Sequence, residues 1–150
     1  MTKKELIADF LSQRKLAIVG MSRAKNKFGN AVFKDLKTKG YELFPVHPEA
    51  DTVEGARCWR DLGSLPEPVG GVIVVVPPPE TEKVVEQARA AGITRVWMQQ
   101  GAESPAAVRY CEENGMSVVQ QQCVMMHAVP IRSIHLVHRW LAGLFGKLPR

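Results

Sequence analysis

A chain of 150 residues is the length of one ordinary domain, and its 45% hydrophobic and 23% charged residues are those of a globular protein. No apolar run approaches the roughly 20 residues of a membrane span, so no membrane-spanning element is expected. The net charge of +5 points to an anionic partner, yet the basic residues gather at the two ends and in one loop, which does not suit a nucleic-acid surface.

The chain begins "MTKKELIADFLSQRK", which puts Leu6, Ile7, Phe10 and Leu11 on one helical face. Glu5 and Asp9 interrupt the apolar stretch a secretory signal needs, so residues 2–12 are predicted as a docking helix and the location as cytoplasmic. From residue 15 onward, short apolar runs rich in β-branched residues alternate with segments of helical period. Strands are predicted over 16–19, 41–46, 72–76, 95–99 and 117–121. Helices are predicted over 28–39, with Phe28, Val32 and Leu36 on one face, then over 80–91 and 105–113. The link between the second and third strands is irregular and supports only a short helical turn around residues 60–65. Past the fifth strand, Ile131, Ile134, His138, Leu141 and Phe145 recur at spacings of three and four. They predict a helix over 131–145 that either packs on its own sheet or makes a homodimer contact.

Strands joined by helices in this way predict an α/β, Rossmann-like, doubly wound parallel sheet of five strands, in the order 3-2-1-4-5, with helices on both faces. The whole chain reads as a single domain with its core over 14–127. Ligands of such sheets bind outside the carboxyl ends of the strands, where the chain order reverses. Function is therefore expected in the loops after strands. Cys58, Cys111 and Cys123 contain no CxxC pair, which supports neither a disulfide framework nor a zinc site.

The loop after the first strand reads Gly20-Met21-Ser22-Arg23-Ala24-Lys25-Asn26-Lys27. Gly20 allows a tight turn, Ser22 offers a hydroxyl, and the amides of the next helix can cradle phosphate oxygens. A turn glycine followed by a solvated basic loop accounts for these residues equally. A dinucleotide fingerprint would have a second glycine at position 22 and an acid at the end of the second strand, to bond a ribose 2′-hydroxyl. Here Ser22 stands in the first place, and Val46, His47 and Pro48 in the second. Without that acid the tip tolerates a phosphorylated ribose, so the ligand implied is coenzyme A, with NADP second. The third strand runs into Pro77, Pro78 and Pro79, which either offer flat apolar rings to an adenine or simply stop the strand. Gln99 and Gln100 end the fourth strand with uncharged polar groups suited to an amide-rich ligand arm.

The stretches "AIVGMSRAKNKFGNAVFKDLKTKGYELFPVHPEA", "GARCWRDLGSLPEPV", "VIVVVPPPETEKVVEQARAAGITRVWMQQGAES" and "GMSVVQQQCVMMHAVP", in this order, resemble the small stand-alone coenzyme A-binding proteins with a Rossmann-like fold. That family is similar in turn to the coenzyme A domain of succinyl-CoA synthetase α subunits, where a comparable proline turn contacts adenine and the glycine loop takes phosphates. The resemblance implies coenzyme A or acyl-CoA as ligand. It nominates Gly20, Ser22, Arg23, Lys25, His47, Pro48, Val76, Pro77, Pro78 and Gln99 as contacts. In the synthetases the phosphorylated histidine belongs to a second domain, so the full ligase reaction is not expected of this chain. No carboxylate pair, Ser-His-Asp arrangement or metal-spaced cluster sits at a strand end, and no catalytic or metal-ligating residue is assigned. The alternatives are an NADP-dependent reductase and a partial acyl-CoA ligase subunit completed by another chain.

Overall fold

The computed structural model of the chain describes residues 1–24 and 27–128. The helix expected over 131–145, and the homodimer contact expected of it, lie outside the described residues. Helix α1 (Lys3–Leu11) starts at Thr2, whose hydroxyl accepts from Glu5 N while the Glu5 carboxylate accepts from Thr2 N. It leads into β1 (Lys15–Val19), α2 (Phe28–Thr38), β2 (Glu42–Val46) and a small hairpin of β3 (Thr52–Val53) and β4 (Ala56–Arg57). After a 3₁₀ turn at Leu62–Ser64 come β5 (Gly71–Val74), α3 (Pro78–Ala90), β6 (Arg95–Gln99), α4 (Pro105–Glu113), β7 (Ser117–Gln122) and the short α5 (Val124–His127).

The α/β class, the parallel five-stranded sheet and the helices on both faces are as expected, but the strand order is not. The sheet runs β2-β1-β5-β6-β7, which is 2-1-3-4-5 counting only its own strands, instead of 3-2-1-4-5. Two features explain why the third strand lies inside. Pro45 lacks an amide donor, and its carbonyl accepts from Trp59 N on the outer side of β2, so the missing donor faces outward and β2 belongs at an edge. Gly71–Val74 is buried throughout, as a central strand between two neighbours should be.

Successive residues of each strand serve opposite faces. Leu16, Ile18, Ile73, Trp97 and Val119 pack with Phe10 of α1, Val32, Phe33 and Leu36 of α2, and Val124 of α5. Ala17, Val72, Val74, Val96 and Met98 pack with Val84, Val85 and Ala88 of α3 and Val108 and Cys111 of α4. Each fully buried aliphatic side chain contributes about 1.5–3 kcal/mol. The first helix is joined to the rest of the fold by Phe10 set edge-on to Trp97 at 5.4 Å, by Asp9 on Arg95 Nε at 2.8 Å, and by Tyr41 Oη donating to Leu11 O. Helix α3 begins at Pro78, two residues before its expected start, because proline at the first turn gives up only donors that have no intrahelical partner. Phe28 leaves the expected apolar face of α2. It is 49% exposed at the start of the helix, and Phe33 takes the buried place. No helix among the described residues is long and apolar enough to cross a membrane.

Candidate functional site

With this strand order, β1 and β5 are neighbours, and their outgoing connections diverge to opposite faces, α2 to one and α3 to the other. The crevice of the sheet therefore opens between the loop after β1 and the loop after β5. Gly20 stands at its base. Its φ is +126°, and a Cβ there would lie 2.3 Å from Val75 O. Gly29, in the first turn of α2, is as tightly placed from the other side: a Cβ there would lie 2.4 Å from Gly20 O. Two glycines thus let a strand end, a neighbouring strand end and a helix N-terminus meet backbone to backbone.

The course of the loop after β1 is set by Asn30, a buried residue with 1% exposure. Its Oδ1 accepts from Ser22 N at 2.8 Å, and its Nδ2 donates to Ser22 O at 2.8 Å and to Glu54 Oε2 at 2.9 Å. Ser22 Oγ accepts in turn from Ala24 N at 3.1 Å. Lys27 takes the N-cap position of α2 without a side-chain cap among the described residues. Arg23 is exposed and lies 3.7 Å from Glu49, which ties the loop after β1 to the loop after β2. Lys25, also nominated, lies outside the described residues.

His47 and Pro48 follow β2 directly. His47 Nδ1 accepts from Glu49 N at 3.0 Å and Ala50 N at 2.9 Å, which requires an unprotonated Nδ1 and leaves Nε2–H as the outward donor. Burial, and then the Arg23 guanidinium, lower the pKa of this ring from its usual 6.5. The unfolded chain therefore takes the proton first. The contribution of this turn to stability is complete above the unfolded pKa and is lost as pH falls through 6.5 toward the lower folded value. The expected result is a urea midpoint that declines from pH 7 to pH 5 more in the parent chain than in His47→Asn; parallel declines would contradict it.

The loop after β5 brings Val76, Pro77 and Pro78 to the other side of the crevice. Pro77 is the N-cap of α3, and Pro78 and Pro79 open the helix. Thr81, fully buried, donates from Oγ1 to Ala102 O at 2.8 Å and ties this end to the loop after β6. The two helix N-termini at the crevice therefore differ. That of α2 offers backbone donors, whereas that of α3 offers proline rings and lacks amide hydrogens at its first positions.

Gln99 stands apart from the other nominated residues. It is 1% exposed, its Oε1 accepts from Val124 N and its Nε2 donates to Cys123 Sγ, each at 3.0 Å, so both polar groups are engaged in fastening α5. It shares its face with Trp97 two residues earlier, and that face is covered by α5. Gln99→Leu is expected to cost about 2 kcal/mol by orphaning the Val124 amide, as read from denaturant midpoints, and to leave ligand affinity within about twofold. A binding loss without a stability loss would return Gln99 to the ligand. Cys123 is half-buried at the carboxyl end of β7, while Cys58 and Cys111 are buried, the latter thiol pushed up to about 11 by burial.

Sequence reasoning missed Gly29, Asn30 and Glu54. The signal for the first two was present in "FGN", a glycine and a buried polar residue in the opening turn of a helix. Glu54 had none, because it reaches Asn30 from a hairpin that is remote in sequence.

The sequence profile of a family described as "CoA binding domain" matches residues 14–128. A conserved hypothetical protein of Pyrococcus furiosus of known structure is 39% identical, with a TM-score of 0.73, over 77% of this chain and 99% of its own. The uncharacterized protein YneT of Bacillus subtilis is 26% identical over 85% of this chain and 96% of its own length. The ADP-forming acetate–CoA ligase II subunit alpha of Pyrococcus furiosus is 25% identical over 77% of this chain, which spans only 28% of that subunit.

Proposed function

Because the chain belongs to the CoA binding domain family, we propose that it binds coenzyme A, free or acylated, across the β1–β5 crevice and carries out no chemistry of its own. The observation that carries this reading is the asymmetry of the two helix N-termini. The start of α2, which has no side-chain cap among the described residues, and the loop held by Asn30 suit a pyrophosphate, and the proline rings and Val76 suit the flat apolar face of an adenine. Gly20 permits the approach of the two loops, and Ser22 adds a hydroxyl. Arg23, Lys25 and His47 Nε2–H supply positive charge and a donor for the phosphate on the ribose, with Pro48 beside them. The carboxylates of Glu49 and Glu54 face Arg23 and Asn30. The likeness to the acetate–CoA ligase subunit favours a second reading, in which the chain supplies the coenzyme-binding part of a ligase completed by a partner chain.

Calorimetric titration with coenzyme A, dephospho-coenzyme A and NADP at matched salt tests the proposal. Coenzyme A is expected to bind, and loss of its 3′-phosphate to weaken binding about tenfold, the worth of one charge-assisted contact. Binding of NADP with none of coenzyme A would overturn the proposal and send attention to a reductase.

A further inference from the structure

The β3–β4 hairpin has no strand in the central sheet, yet it reaches into the loop after β1. Its turn residues, Glu54 and Gly55, both have positive φ, 53° and 75°. Mirror-image two-residue turns of this kind favour Asn, Asp or Gly, because other side chains crowd the following carbonyl. The pairing of the hairpin, Thr52 with Arg57 and Val53 with Ala56, makes no demand for glutamate. The side chain nevertheless turns inward. It is 10% exposed, and Oε2 accepts from Asn30 Nδ2 at 2.9 Å and lies 3.4 Å from Lys34 Nζ.

What this contact does follows from donor and acceptor inventories. A carboxylate can only accept, so the group of Asn30 that faces Glu54 must be its NH₂. The other end, Oδ1, is then left to accept from Ser22 N. The opposite orientation would set Oδ1 against the Glu54 carboxylate and the Ser22 carbonyl, and the NH₂ against an N–H.

We infer that Glu54 is a positioning residue of the binding site: from outside the sheet it joins the Ser22 and Ala24 carbonyls in fixing the Asn30 amide and, through it, the course of the loop that carries Ser22 and Arg23. This inference rests on reading that loop as part of the coenzyme A site. A strained backbone at the residue that fastens a ligand loop is what results when turn stability is given up for site geometry.

The test uses two variants of the full chain. Glu54→Asn suits the turn but is too short to reach Asn30, and Glu54→Gln keeps the length and one acceptor oxygen. E54N is expected to melt no earlier than the parent, to bind coenzyme A about tenfold more weakly, and to exchange its Ser22 amide with deuterium about tenfold faster. E54Q should stay within about threefold of the parent in both binding and exchange. Unchanged Ser22 exchange in E54N overturns the positioning role, whatever the affinity does. Faster exchange across all amides together with earlier melting also overturns it, since that is the behaviour of a merely structural residue. If the parent chain does not bind coenzyme A, faster Ser22 exchange confined to this loop in ligand-free E54N upholds the role of Glu54 while the coenzyme reading falls.

Discussion

Alanine at position 20 is expected to cost about 3 kcal/mol, combining left-handed strain with overpacking, and to abolish coenzyme A binding. The added Cβ would stand 2.3 Å from the carbonyl oxygen and 2.6 Å from the carbonyl carbon of Val75. Both are backbone atoms, and Val75 N is itself anchored on Val19 O at 2.7 Å, so no side chain can swing aside. The two strand ends must separate, and the crevice loses its base. A chain of this size should melt about 10 °C earlier, given about 2–4 °C for each kcal/mol. Thermal unfolding followed by circular dichroism, with titration of the folded protein, checks both halves. A shift below about 3 °C with binding intact would show that the two loops do not meet as described.

Asn30→Asp is the second large effect and the more diagnostic. The change is isosteric, but it puts a carboxylate oxygen where Nδ2 now donates to Ser22 O at 2.8 Å and to Glu54 at 2.9 Å. Three acceptors then converge in a buried place, at a cost of about 2–4 kcal/mol. The sign with pH is fixed by the same crowding. The aspartate at this position would have a folded pKa raised above its unfolded value, because the protonated acid can donate and the ionised one cannot. The folded state then binds the extra proton, so the defect is largest near neutral pH and shrinks as pH falls. Urea midpoints of parent and variant at pH 7.5 and pH 5.5 would measure this. A defect that is constant or grows toward acid would contradict the assigned hydrogen bonds.

The alternation of β-branched runs with helical periods was enough to read an α/β chain and the ends of most elements. The order of strands was not obtained, although Pro45 and the unbroken apolar run at Val72–Val74 carried the information. A proline in a parallel strand marks an edge, and a strand without polar residues marks the interior. The β3–β4 hairpin has two residues in each strand, too few to show a period. Gln99 was assigned by its position at a strand end, whereas its side chain is governed by the two-residue alternation that it shares with Trp97. Asn30 and Glu54 act through one hydrogen bond between segments 24 residues apart, and no local pattern reports such a pairing.

The strand that carries Pro45 has a further consequence, for self-association. On the outer side of β2, Trp59 N donates to Pro45 O at 2.9 Å and His47 N donates to Trp59 O at 2.8 Å, so the chain's own next segment occupies that margin. A strand from another molecule finds the ladder there already used or, at Pro45, lacking a donor. The opposite margin is β7, "SVVQQQ", which carries no charge and no proline and, among the described residues, pairs only with β6. Among the described residues, the β2 flank of the sheet is thus closed to edge-to-edge growth, whereas the β7 flank is interrupted by the register shift beside Trp97 and Gln99 and by the positive φ of Gln121. Strand addition that spares the fold is therefore expected at β7 rather than at β2, along Ser117–Val119 and short of that irregularity.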